Sequence, residues 1–197
     1  MLEENIFRAL FIFTAVSFVI LWGGNLASIG ITRDKFYTAT EGLLIAVPRF
    51  LLLGASVVGI GAYTFQPSLM QWSALPMPSG LRWLGVFIGL AALGLFFWVI
   101  RSLGQNFSTS LTIQKGQTLV SHGPYRWIRH PMYTSFVLLW CGFGLISANW
   151  FIGLTGLLGL MWAIVVRTPK EEQMMIERFG DEYLAYMKRT GRYLPGW

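Results

Sequence analysis

The feature that most constrains the fold is a long stretch without acidic residues, which reaches from Glu41 to Glu171. Over the whole chain 54% of the residues are hydrophobic and 12% are charged. A soluble domain carries about 25% charged residues. A soluble core does not account for apolar sequence of this length. The chain is therefore predicted to be an integral membrane protein.

Long charge-free runs locate the membrane-spanning helices. Because about 20 apolar residues cross a bilayer, we expect three helices over about residues 8–31, 43–65 and 81–102. The next apolar region, Met132–Val166, would be about 50 Å long as one helix, against about 30 Å of hydrocarbon. It therefore predicts a tight hairpin of two short helices that turns near residues 147–149.

In the second half of the chain, glycines predict close helix packing and the spacing of apolar residues predicts a further helix. The glycines of the hairpin are expected to let its two helices approach closely; they are Gly142, Gly144, Gly153, Gly156 and Gly159. Apolar residues at helical spacing in the tail predict an amphipathic helix that begins near Pro169; they are Met175, Ile176, Phe179, Tyr183, Tyr186 and Met187.

The basic residues orient this all-α polytopic fold of five transmembrane helices plus a C-terminal amphipathic helix. The segment between the third and fourth helices carries Arg101, Lys115, Arg126 and Arg129 and no acid. The loop between the second and third helices carries no charge. The positive-inside rule then predicts an outside N-terminus and a cytoplasmic loop and C-terminus.

Residues 1–100 and 101–197 are expected to form two regions of one integrated domain. The loop before the fourth helix and the C-terminal tail are both predicted to be cytoplasmic, so we expect them to meet.

Charge and composition also exclude several classes of function. The net charge of +6 arises from basic residues at segment ends, so membrane topology explains it and nucleic-acid binding is not expected. The single cysteine, Cys141, excludes an internal disulfide. The two histidines, His122 and His130, stand eight residues apart with no acid between them. No metal site is therefore expected.

Residues 122–133 form a basic and aromatic segment directly before an apolar run. Pro131 suits the first position of a helix, so His130 lies just outside its start and either flanks the helix or faces an anion. Tyr125 is either an interfacial aromatic or part of a pocket. Arg167 is either a snorkelling anchor or a ligand-binding residue.

In combination these residues resemble the isoprenylcysteine carboxyl methyltransferase family, whose wider group includes phospholipid methyltransferases. The resemblance covers about residues 101–195. It is carried by Asn106-Phe107-Ser108, Gln114–Val120, Gly123-Pro124-Tyr125, Arg129-His130-Pro131-Met132-Tyr133, Arg167, Glu171-Glu172 and Phe179–Tyr186.

The resemblance implies methyl transfer from S-adenosylmethionine at the cytoplasmic membrane face, without a metal. It implies that Arg167 and Glu171 are catalytic and that Arg167 faces the acceptor. The implied cofactor contacts are Gln114, Gln117, Thr118, Leu119, Val120, His122, Tyr125, His130, Pro131, Met132, Tyr133 and Glu171.

The leading acceptor implied by the family is the carboxylate of an isoprenylcysteine-like lipophile. This substrate would be a small lipophilic molecule or a prenylated one, and it would enter from the bilayer, among the membrane lipids. An amine acceptor, as in the phospholipid methyltransferases, would need a base, for which Glu171 and Glu172 are the candidates. Two other readings stay open: a sterol-reductase-like enzyme that uses NADPH, and a non-catalytic membrane scaffold. The sequence does not determine the oligomeric state.

Overall fold

A computed structural model describes residues 2–29, 43–106 and 118–196. Its helices are α1 (Leu2–Ile29), α2 (Leu43–Phe65), α3 (Ser79–Leu103), α4 (Pro131–Ser147), α5 (Trp150–Phe179) and α6 (Asp181–Arg189). Short 3₁₀ helices occupy Pro67–Ser73, Gly104–Asn106 and Gly123–Arg126. Within these described ranges no β-strand forms, which confirms the predicted all-α class.

Four of the described helices are long and apolar enough to cross a membrane, namely α1, α2, α3 and α5. The fifth, α4, is equally apolar but has only 17 residues. It packs against α1, α3 and α5. The protein is thus a multi-pass membrane protein, and α2 has the bounds that the sequence predicted.

The predicted hairpin turn is present between α4 and α5 and is anchored by one buried side chain. Ala148 adopts a left-handed conformation with φ of 46°, which ends α4. Asn149 then caps α5 by accepting a hydrogen bond from the Ile152 N–H at 3.2 Å. The Asn149 amide also donates to the Met70 carbonyl at 3.1 Å and to the Ser73 hydroxyl at 2.9 Å. The loop after α2 is therefore fixed against the hairpin turn.

The hairpin glycines serve three helix contacts, where the sequence had predicted one. Gly144 and Gly153 face each other across the hairpin, and a Cβ added to either would lie 3.0 Å from the other's Cα. Gly156 lies under the Trp140 ring. Gly142, however, packs against Gly89 of α3, and Gly159 packs against Leu53 of α2. The prediction was wrong for these two because α4 and α5 also carry the contacts to the N-terminal helices.

A polar cluster around the buried Arg82 joins four helices at the hairpin-turn end of the bundle. The Arg82 guanidinium pairs with the Glu4 carboxylate at 2.5 Å and donates to the Ile146 carbonyl at 3.0 Å. Tyr63 donates to the same carboxylate at 3.1 Å. The guanidinium also lies 4.2 Å from the centre of the Phe7 ring. Arg82 therefore holds α1, α2, α3 and α4 together.

The predicted C-terminal amphipathic helix is present in two pieces. Its first piece does not begin near Pro169, because α5 continues through Pro169 to Phe179. Proline removes one backbone hydrogen bond, but Thr168 and Glu172 on the adjacent face are buried and hold the helix in place. Gly180, with φ of 54°, then separates α5 from α6. Tyr183 and Tyr186 are the buried face of α6.

Candidate functional site

The loop before α4 and the C-terminal segment meet at the end of the bundle opposite the hairpin turn, as predicted. The Arg129 N–H donates to the Gly191 carbonyl at 2.8 Å, and the His130 N–H donates to the Arg192 carbonyl at 3.0 Å. The Gly191 N–H in turn donates to the Trp127 backbone carbonyl at 3.0 Å. These bonds hold residues 190–193 beside the start of α4.

A glycine lets this loop pack closely against the end of α3. Gly123 has φ of 59°, and a Cβ there would lie 2.2 Å from the Ser102 hydroxyl. Only glycine fits this conformation and this contact. The following 3₁₀ turn carries Tyr125, whose carbonyl accepts a hydrogen bond of 2.7 Å from the Tyr186 hydroxyl of α6. The segment Gly123-Pro124-Tyr125 is therefore packed against both α3 and α6.

Glu172 is the centre of a buried ion-pair cluster. It is 5% exposed, and its Oε1 accepts hydrogen bonds of 3.1 Å from Arg129 and from Arg192. Arg192 also approaches the second carboxylate oxygen at 2.5 Å. Arg129 further donates to the carbonyls of Met187 and Thr190. The carboxylate of Glu172 is thus saturated by two arginines, and it joins α5 to the loop and to the C-terminal segment.

Glu171, the neighbouring residue, faces a different environment. Its side chain is 24% exposed. The Tyr133 hydroxyl donates to Oε1 at 2.7 Å, and Arg167, one turn earlier on α5, lies 3.2 Å from the same oxygen. Glu171 and Arg167 therefore form a partly accessible pair of opposite charges beside an aromatic ring, which is a suitable arrangement for a ligand that carries both signs of charge.

His130 stands between the two carboxylates. Its Nδ1 is 3.6 Å from Glu171, and its Nε2 is 3.4 Å from Glu172, although Nε2 lacks the alignment of a hydrogen bond. The ring stacks on Tyr133 with 5.7 Å between centroids and contacts Tyr193 at 5.9 Å. The imidazole ring of His130 therefore has the carboxylate of Glu171 near one nitrogen and that of Glu172 near the other.

Burial and charge shift several titratable groups in this region. Burial raises the pKa of Tyr125, and the nearby Tyr186 and Glu171 add to that effect. Burial also raises the pKa of Tyr186 to about 12. The Glu172 carboxylate raises the pKa of Arg192. The tyrosines are therefore neutral hydroxyl donors at physiological pH, and Arg192 is a permanent cation.

The structure brings together the central residues that the sequence singled out, namely Tyr133, His130, Arg167 and Glu171, with Tyr125 close by. Pro131 is the buried first residue of α4, and Met132 follows it half-buried. Thr118 is tied to Asn106 by a 3.0 Å hydrogen bond and leads into Leu119 and the buried Val120. His122 is exposed. Gln114 and Gln117 lie outside the described residues. The ligand roles of all these residues stay predictions.

The sequence did not reveal the supporting residues around this group. Tyr193 donates through its hydroxyl to the buried Thr168 at 2.9 Å, and its carbonyl accepts from Thr134 at 2.7 Å. Together with Arg129 and Arg192 these residues fasten the C-terminal segment. Their only sequence signal is their position beside the motif residues, which does not specify their partners. Among the described residues no group of three or more His, Cys, Asp or Glu side chains is placed to hold a metal ion.

Residues 83–177 match the model of the isoprenylcysteine carboxyl methyltransferase family. These residues hold Tyr125, His130, Tyr133, Arg167 and Glu171. This chain is similar to that family over nearly half of its length. The match begins within α3 and ends within α5, so it contains the helices that carry the candidate site.

Individual relatives agree with the family match. The human protein-S-isoprenylcysteine O-methyltransferase is 35% identical over 94 residues, which are 47% of this chain and 33% of that protein. The enzyme of the same name from Xenopus laevis is 33% identical over 178 residues, 82% of this chain and 61% of that protein. The chain thus spans between one third and three fifths of these two relatives.

A solved structure shares the fold. It is described as the eukaryotic intramembrane Ras methyltransferase ICMT, and it superimposes with a TM-score of 0.56. The superposition covers 90% of this chain and 67% of that one at 21% sequence identity. The polytopic arrangement of helices is therefore one that a solved relative of the family also has.

Proposed function

We propose that this protein is an integral membrane methyltransferase that uses S-adenosylmethionine to O-methylate the carboxylate of an isoprenylcysteine-like lipophile. The observation that carries the proposal is the pair formed by Arg167 and Glu171 beside Tyr133, at the point along α5 where the apolar sequence stops. The family match and the names of the relatives support the same class of reaction.

The charged and aromatic side chains of the candidate site suit S-adenosylmethionine, which carries an ammonium, a sulfonium and a carboxylate. Glu171 is a partly exposed acid that would pair with a cation. The rings of Tyr133 and His130 supply an apolar and aromatic wall. The remaining cofactor contacts would come from Thr118, Leu119, Val120 and Tyr125, and from Gln114 and Gln117. The chemistry that this cofactor supplies when bound is an electrophilic methyl group on sulfur.

Arg167 would bind the acceptor. Its guanidinium is planar and offers a fork of N–H donors that matches a carboxylate. An acceptor carboxylate is already anionic at neutral pH, since the pKa of an α-carboxyl is about 3.3–3.7. No general base is then required. The contribution of the protein is alignment of the acceptor oxygen, for which proximity supplies roughly 7–11 kcal/mol.

The environment of Glu172 favours a carboxylate acceptor over an amine. An amine acceptor needs a base. Glu172 is buried and accepts hydrogen bonds from Arg129 and Arg192, so it is unsuited to take up a proton. Glu171 is engaged by Arg167 and Tyr133. A reaction that needs no base fits both carboxylates better.

We further propose that the N-terminus lies outside and that the site faces the cytoplasm, where the cofactor is available. The basic segment before α4 supports this orientation. The acceptor would reach the site from the bilayer, between helices.

The class of reaction is tested by binding and by product chemistry. We expect saturable binding of S-adenosylhomocysteine to the detergent-purified protein by isothermal titration, and no binding of NADPH. We also expect labelled methyl transfer to N-acetyl-S-farnesylcysteine, giving a methyl ester that base hydrolyses to methanol. The carboxamide of the same compound is the matched control and should accept nothing. Binding of NADPH alone would support a reductase, and a base-stable methyl product would support an amine acceptor. Binding of neither ligand by folded protein would support the scaffold.

A further inference from the structure

A cleft opens between α1 and α3, away from the residues assigned to catalysis. Its volume is about 300 Å³, and it is lined by Ile20, Leu21, Gly24, Asn25, Ile100 and Arg101. Asn25 and Arg101 lie within about one helical turn of the ends of their helices. These are the helix ends that lead toward the candidate site, so the cleft lies at the depth of the membrane surface.

The lining combines an apolar wall with one cation. Ile20 is 66% exposed, so the wall faces the surrounding lipid. Arg101 is exposed at the rim, with its guanidinium 5.6 Å from the centre of the Phe97 ring. No carboxylate pairs with Arg101 among residues 2–29, 43–106 and 118–196, and none of the described lining residues is acidic. Within the described residues, the cleft therefore presents one positive charge beside an apolar surface.

We propose that this cleft binds an anionic phospholipid of the adjacent leaflet. The phosphate would lie against Arg101, with part of one chain along Ile20 and Ile100. A basic side chain at the membrane surface attracts anionic lipid headgroups. The volume is at the lower end of the roughly 300–1,000 Å³ of small-molecule sites, which suits a headgroup with the start of a chain.

The site is separate from the proposed acceptor site. Arg101 belongs to α3, whereas the Arg167–Glu171 pair belongs to α5, and neither residue of that pair is among the described residues that line the cleft. The proposal does not depend on methyl transfer, because it rests on the cleft and its charge. It holds whether or not the protein proves to be a methyltransferase.

Two glycines provide matched variants for the test. A Cβ added at Gly24 in the cleft, or at Gly54 on α2, meets no atom within 4 Å. Gly24→Leu is therefore expected to fill the cleft without disturbing the helix packing, and Gly54→Leu is the control outside it. Arg101→Ala removes the cation, and Arg178→Ala removes an exposed cation from α5.

The experiment is native mass spectrometry of the full chain in mild detergent, titrated with phosphatidylglycerol or phosphatidylcholine. We expect one phosphatidylglycerol to be retained in preference to phosphatidylcholine. Arg101→Ala should weaken its binding about fivefold, and Gly24→Leu should abolish it. Both control variants should bind as the wild type does. Thermal unfolding in detergent verifies that each variant is folded.

Three results would overturn the proposal. The first is equal retention of the two lipids by the wild type. The second is unchanged phosphatidylglycerol binding in both folded cleft variants. The third is displacement of the bound lipid by N-acetyl-S-farnesylcysteine, which would assign the cleft to the acceptor.

Discussion

The guanidinium of Arg192, in the C-terminal segment, contacts both oxygens of the buried Glu172 carboxylate, at 3.1 and 2.5 Å. Arg129 reaches the same carboxylate from the loop before α4. This shared acid joins three segments that are distant in sequence. The cluster therefore positions the wall of the candidate site without offering a free carboxylate to a ligand.

Glu172→Gln is expected to destabilise the protein. The change leaves Arg129 buried beside a neutral amide, and removal of one partner from a buried ion pair costs about 3–5 kcal/mol. Because Arg192 is about half exposed, we expect the lower end of that range. Thermal unfolding in detergent measures the effect. Glu177→Gln is the control, since Glu177 is exposed. Equal stability of the two variants would show that the cluster does not hold the fold.

Glu171→Gln is expected to weaken cofactor binding while it leaves stability nearly unchanged. Loss of a charge-assisted hydrogen bond costs about 1.5–3 kcal/mol, which is about a tenfold to hundredfold change in affinity. Titration with S-adenosylhomocysteine measures it. Wild-type affinity in this variant would remove Glu171 from the pocket.

Arg167→Ala is expected to suppress turnover but to spare cofactor affinity. Arg167 is proposed to align the acceptor carboxylate, and a misplacement of about 1 Å costs on the order of 10²-fold in rate. Arg167→Lys should recover little of the loss, because an ammonium cannot reproduce the planar fork of the guanidinium. Methyl-ester formation on N-acetyl-S-farnesylcysteine measures turnover. If both variants retain full activity, Arg167 is only a membrane-interface anchor.

Gly156→Ala is expected to destabilise the hairpin, because the new Cβ would lie 2.3 Å from the Trp140 ring. Overpacking of this kind costs about 1–3 kcal/mol. Gly61→Ala provides the comparison, since a Cβ there meets no atom within 4 Å. Thermal unfolding in detergent should separate the two variants. A Gly156→Ala protein as stable as Gly61→Ala would contradict the close contact.

The proposed orientation can be read from cysteine labelling in intact cells. Replacement of Cys141 by alanine gives a background without cysteine. Ser68→Cys and Ser121→Cys then place single exposed thiols before α3 and before α4, respectively. A membrane-impermeant maleimide should label the first in intact cells and the second only after permeabilisation. The reverse pattern would invert the topology.

Several features of the site were predictable because they depend on local sequence. Pro131 begins α4 as predicted, since proline at a first helical position needs no N–H partner. Arg167 and Glu171 are one turn apart, so their pairing follows from helix geometry. The start of the tail helix was not predictable, because the burial of Thr168 and Glu172 continues α5 through Pro169.

By itself the sequence determined the membrane class, the hairpin and the group of residues that form the candidate site. Hydrophobicity, helix periodicity and family motifs are properties of short segments, so they can be read without coordinates. Only the tertiary structure showed that two arginines enclose Glu172 whereas Glu171 stays partly exposed. Adjacent residues on a helix point about 100° apart, and it is the packing of the loop and of Arg192 that buries one acid and leaves the other beside Arg167.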